Sequence, residues 1–172
     1  MKKILVIGSG GAGKSTFSRR LSEATGLELI HLDKIYWLPD WTEPERADWL
    51  KLLEGELEKD AWIMDGNYGS TLEMRLKKSD AAVFLDFPRS LCVWRVFKRT
   101  LIYGGRNRPD MGSGCREKID LEFIRWIWNF PKKDKLRVEN LLNKFAEKVK
   151  IIRLRSSREA EEFLKVMGDG DR

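Results

Sequence analysis

The stretch Gly8-Ser9-Gly10-Gly11-Ala12-Gly13-Lys14-Ser15 constrains this chain more than any other. It fills every fixed position of the pattern G-x-x-x-x-G-K-[ST]. An apolar run, Ile4–Ile7, precedes it, and a helix-like stretch, Thr16–Ala24, follows. Strand, glycine-rich turn and helix in that order make a cradle for phosphate. Glycines let the backbone wrap until its N–H groups point inward, while the helix N-terminus and Lys14 add positive potential. Ser15 offers its hydroxyl to Mg²⁺. The expected nucleotide-binding set is Gly8, Ser9, Gly10, Gly11, Ala12, Gly13, Lys14, Ser15 and Thr16.

The rest of the chain repeats the strand–helix alternation. Further apolar runs lie at Leu29–Leu32, Trp62–Met64, Ala81–Leu85 and Val149–Leu154. Continuous hydrophobicity points to strands covered on both faces, and the helices between them predict a parallel α/β sheet. Thr42-Glu43-Pro44-Glu45 and Ser156-Ser157-Arg158-Glu159 read as capping boxes before helices. A long amphipathic helix is expected from Leu91 to about Tyr103, after Pro88. A helical pattern beginning near Glu117 is split by Pro131. Gly104–Cys115, rich in Gly, Arg and Pro, is the expected mobile loop. With 172 residues, 42% of them hydrophobic, the chain suits one domain over 1–172.

No apolar run approaches the roughly 18 residues that would span a bilayer, and a glycine turn stands where a signal peptide would be cleaved. A cytoplasmic protein without membrane partners is therefore expected. Cys92 and Cys115 make no disulfide framework, and a single histidine, His31, argues against a Cys/His zinc cluster. The net charge of +6 suits polyphosphate substrates; nucleic-acid binding is the other reading, although no DNA- or RNA-binding signature accompanies it. Without an apolar heptad run, a monomer is expected. The guanine-reading Asn-Lys-x-Asp is absent, since Asn143-Lys144 runs into Phe145-Ala146. A small chain without that reader favours a kinase acting on a small acceptor.

Beyond the phosphate loop, "HLDKIYW", "WIMDGNY", "FLDFPRSLCVWRVFKR", "GGRNRPDMGSGCREKID" and "FIRWIW" carry a narrower likeness. Over nearly its whole length the chain resembles adenylate-kinase-like P-loop kinases, and more closely the bacterial DNA-topology-modulation (FlaR-related) proteins. The resemblance implies a three-layer fold with five parallel strands in the order 2-3-1-4-5. It also implies an acceptor-binding region over about 33–60 and an arginine-bearing lid over about 104–116. ATP and Mg²⁺ follow as expected ligands. A DNA-associated regulator on the same fold is the alternative function, and a nucleoside monophosphate kinase the alternative enzyme.

The implied roles fall on particular residues. Asp65 ends the third strand, where P-loop kinases keep a carboxylate for Mg²⁺, so Ser15 and Asp65 are the expected metal ligands. Asp65-Gly66 matches adenylate kinases, but Asn67-Tyr68 replaces their Phe-Pro-Arg, which argues against an acceptor bound in their manner. Asp33 follows the second strand, where shikimate- and gluconate-type kinases place a carboxylate that takes a hydroxyl proton. Trp37 and Trp41 offer stacking faces near it. Arg75 resembles an arginine that family members point at the acceptor. Asp33, Trp37, Asn67, Tyr68 and Arg75 are thus the expected acceptor contacts. Arg95 and Arg99 share a helix face leading to the lid; Arg106, Arg108 and Arg116 lie in it or at its edge. With Lys14, Asp33 and Asp65 these arginines form the expected catalytic set, neutralising the transferring phosphoryl group. Arg125 is a weaker candidate beyond the lid, and His31 is expected to be structural.

Overall fold

The structure, a computed structural model, describes residues 1–169; the last three residues of the expected domain lie outside the described residues. Five strands form one parallel sheet in the order β2-β3-β1-β4-β5. They are β1 (Lys3–Gly8), β2 (Leu29–His31), β3 (Trp62–Asp65), β4 (Ala81–Leu85) and β5 (Lys150–Leu154). The helices are α1 (Lys14–Thr25), α2 (Leu32–Tyr36), α3 (Arg46–Leu57), α4 (Leu72–Lys77), α5 (Arg89–Tyr103), α6 (Leu121–Asn129), α7 (Asp134–Phe145) and α8 (Ser157–Asp169). Among the described residues no helix is long and apolar enough to cross a membrane.

The central strands are buried on both faces, and the two-residue period of a strand divides them between two cores. Leu5, Ile7, Met64 and Phe84 point into one core with residues of α3, α4 and α7. Ile4, Val6, Ile63 and Val83 point into the other with residues of α1, α5, α6 and α8. These two cores make the three layers. The C-terminal ends of β1, β2 and β3 converge at one edge, where ligands of parallel α/β sheets bind.

Local signals held where no tertiary contact competed with them. The box before α8 forms: Ser156 Oγ accepts from the Glu159 amide at 3.2 Å, and the Glu159 carboxylate accepts from the Arg155 amide at 2.9 Å. The box at Thr42 does not form, and α3 starts at Arg46 without a side-chain cap. Thr42 is instead drawn back over the turn Pro39–Trp41, its amide donating to Pro39 O and its carbonyl accepting from the Leu38 amide. The helix expected near Glu117 starts at Leu121, with the Asp120 carboxylate capping it through the Phe123 amide at 3.0 Å.

Candidate active site

The phosphate loop joins β1 to α1 beneath the start of α5. Gly11 has φ +72°, and a Cβ there would lie 2.2 Å from the Cys92 carbonyl oxygen, so the loop can pack under α5 only as glycine. Gly13, at φ +90°, caps α1 with no side chain in the way, leaving the first-turn amides to a ligand. Lys14 Nζ folds back to donate to Gly8 O (3.1 Å) and Ser9 O (2.9 Å). Burial lowers the pKa of this ammonium, while Asp33 and Asp65 work against that shift.

A cavity of about 1090 Å³ opens over this loop. One end runs between α1 and α8, past Arg20 and Glu161, which pair with each other. The other end lies above β2 and β3, walled by Asp33, Trp37, Trp41, Asn67 and Tyr68. Gly8 and Ser9 lie beneath the loop and outside the cavity wall, serving through their carbonyls on Lys14.

Sheet register brings the acids together. Asp65 pairs in register with Val6 of β1 and His31 of β2, so the β3 carboxylate sits beside the phosphate-loop strand. Its Oδ1 meets His31 Nδ1 at 2.9 Å; its Oδ2 is buried with no hydrogen-bond partner. His31, expected to be structural, therefore lines the cavity and orients Asp65. Burial alone would lower the His31 pKa, but the Asp65 contact outweighs it and raises it. Asp33 accepts a hydrogen bond from the Tyr68 hydroxyl at 2.7 Å. Burial raises the Asp33 pKa, against the opposing effects of Lys14 and Tyr68. The same burial and the Asp33 charge lift the Tyr68 phenol far above its ordinary range, so it remains a donor.

Arg75 is not at the acceptor wall. Its side chain is fully buried, donating to Gly66 O (3.1 Å) and Tyr68 O (2.7 Å). Burial pulls its pKa down to about 10, which leaves it charged at neutral pH. It props the Asp65–Tyr68 loop from behind.

The lid arginines divide. Arg99 and Arg108 line the cavity, as does Arg95, which donates to Ala12 O at 2.8 Å and to Ser157 Oγ at 3.0 Å. Arg106, Arg116 and Arg125 are exposed and turn away from it. The segment expected to be mobile is tied at both ends. Gly105 N donates to Glu117 O and Glu117 N to Arg106 O, both at 2.9 Å. Cys115 Sγ contacts Leu38 O at 3.2 Å, and Trp41 Nε1 donates to Arg116 O at 3.1 Å. Inside the lid Glu117 is 3% exposed and brackets two arginines. Arg99 bonds it at 2.8 Å; Arg108 Nε approaches it at 2.8 Å, too misaligned for a hydrogen bond and so an ion contact. Asp110 completes the cluster, pairing with Arg108 at 3.2 Å. Burial alone would raise its pKa, but Arg108 and the nearby Ser15 hydroxyl hold it below the usual range. Sequence reasoning passed over Asp110 and Glu117; their signal is that they are the only acids between Gly104 and Lys118.

Solved structures of shikimate kinases share this architecture. The enzyme from Acinetobacter baumannii, in complex with shikimate, matches with a TM-score of 0.58 at 17% identity, over 99% of this chain and 94% of that one. The enzyme from Bacteroides thetaiotaomicron matches with a TM-score of 0.55 at 16% identity, over 96% of each chain. The chain has the shikimate-kinase fold. In this chain the phosphate loop, Asp33, Asp65 and the lid residues Arg108 and Asp110 face one cavity. No family model and no curated protein matches the chain. The narrower likeness to DNA-topology-modulation proteins is not shown by these matches.

Proposed function

We propose that this chain transfers the γ-phosphoryl group of ATP to a hydroxyl of a small acceptor. The observation that carries this reading is the Asp33 carboxylate, held by the Tyr68 hydroxyl at 2.7 Å and facing the cavity that Lys14 lines. A base in that position suits an alcohol acceptor, which must lose a proton; a phosphate acceptor has none to lose.

The residues present fit Mg²⁺. Asp65 presents a buried carboxylate oxygen without a partner, and Ser15 supplies a hydroxyl at the start of α1. These two would hold the ion, which when bound screens the β- and γ-phosphate oxygens. Lys14 and the first-turn amides of α1 bind the phosphates. Arg99 and Arg108, which line the same cavity, neutralise the charge that spreads over the transferring group. Asp33 takes the acceptor's hydroxyl proton as the acceptor oxygen bonds to the γ-phosphorus. The bond from phosphorus to the bridging oxygen breaks, and ADP leaves with its electrons. Water is kept out by the lid docked on the Trp37–Trp41 segment.

Replacing Lys14 with Ala is expected to lower ATP turnover by about 10²–10³-fold or more, the usual scale for losing a charge-stabilising donor. ADP release would be followed across a panel of hydroxyl compounds, with circular dichroism verifying the fold. Undiminished turnover in the folded variant would sink the reading.

A further inference from the structure

Charge is distributed unevenly around the cavity. Every lysine and arginine lining it comes from the phosphate loop, α1, α5 or the segment 104–120. The opposite wall, built by 31–41 and 65–68, contributes two carboxylates, Asp33 and Asp65, and no lysine or arginine. His31 lies there too, but its Nδ1 is engaged by Asp65. Cations that might have served an acid there are committed elsewhere. Arg75 is fully buried and bonded to Gly66 and Tyr68 carbonyls. Arg137 lies behind Asn67 in a separate pocket of about 120 Å³, beside Asp134. What the wall does offer is aromatic surface and neutral polar groups. The Trp37 and Trp41 rings lie 5.6 Å apart at 67°, and the buried Asn67 Oδ1 has no partner.

Resting on the kinase reading above, we propose that the acceptor is an uncharged, hydroxyl-bearing ring compound, such as a free sugar or a nucleoside. A carboxylate or phosphate ester bound against this wall would face Asp33 and Asp65 with no lysine or arginine on the wall to meet it, and like charges so placed are strongly disfavoured. An uncharged ring lays an apolar face on the tryptophans. It directs one hydroxyl at Asp33 and donates another to Asn67.

The test pairs each uncharged compound with an anionic partner: glucose with gluconate, adenosine with AMP, and methyl shikimate with shikimate. ADP formation is measured with ATP and Mg²⁺. The uncharged member of at least one pair is expected to have a kcat/KM about 100-fold above its partner, and the pair that responds distinguishes sugar from nucleoside. Asn67→Arg, which adds a cation to this wall, is expected to move the preference toward the anionic member by about tenfold. Preference of the wild type for an anionic member overturns the proposal and leaves the kinase reading standing. So does ATP turnover that no uncharged member stimulates. ATP turnover no higher than in Lys14→Ala, with every compound, overturns both.

Discussion

Asp33 and Tyr68 lie on different elements, 35 positions apart in sequence, and a single hydrogen bond makes them one working unit. The hydroxyl favours the ionised carboxylate, while burial favours the neutral acid. Tyr68→Phe removes the first influence and leaves the second. The Asp33 pKa, already raised, then rises further, so the acid limb of the kcat–pH profile moves to higher pH. On the acid limb kcat is expected to fall by about tenfold at a given pH, the scale of a hydrogen bond to a charged group; an unmoved acid limb would show that the hydroxyl does not tune Asp33. Arg75 teaches a different lesson at this scale. Its position after the Asn67-Tyr68 loop resembles that of an acceptor-facing arginine, and arginine is rarely buried without a charged partner. Its use here as a brace on two carbonyls depends on burial, which residue type and spacing do not carry.

The lid is the element where sequence and structure part most. Its composition reads as a loose loop, yet its ends are bonded to each other and its middle packs on the Trp37–Trp41 segment, where a Cβ on Gly112 would fall 2.1 Å from Trp37 O. Glu117 explains both the order and the late start of α6. Its amide and carbonyl are taken up by Arg106 O and the Gly105 amide, so the helical pattern visible from Glu117 onward cannot begin until Asp120 caps it. Glu117→Gln leaves Arg99 and Arg108 beside each other without their shared counter-charge. Breaking a fully buried pair from one side costs about 3–5 kcal/mol. Because Arg99 keeps 24% of its side chain exposed, about 2 kcal/mol is the better figure. The amides of Gly105 and Glu117 are expected to exchange about 30-fold faster, with the central strands unchanged, as read by native-state hydrogen exchange. Equal protection in the variant would show that backbone bonds alone hold the lid. By contrast the strand–turn–helix form of the phosphate loop was legible, because a strand, glycines and a helix start are contiguous in sequence and need no distant partner.

Across the whole molecule, five apolar runs and the helices between them predicted a parallel sheet, since burial on two faces writes itself into each strand separately, while the strand order followed from the family resemblance. The cavity's charge asymmetry was not legible, because it depends on which arginines are already paired. The Trp37–Trp41 segment carries a further mark of tension: Asp40 and Trp41 both hold positive φ, at 59° and 61°. For a tryptophan this is a costly conformation that neighbours must enforce. The indole bond to Arg116 O is one such neighbour. Trp41→Ala, on the acceptor side, is expected to weaken binding of a non-hydrolysable ATP analogue by about fivefold, the worth of one hydrogen bond, by calorimetric titration. Unaltered affinity would mean that the lid closes without this anchor.

The contact between lid and acceptor wall has a thermodynamic corollary. Two ligands that share one wall are linked reciprocally: whatever factor the acceptor adds to nucleotide affinity, the nucleotide must return to the acceptor. If Trp37 and Trp41 are pressed from the acceptor side, the lid seats more firmly over the phosphates, and the chain becomes cooperative toward its two substrates. In the proposed kinase, idle hydrolysis would then be restrained until the acceptor is bound, and the lid would work as a coincidence detector rather than a cover.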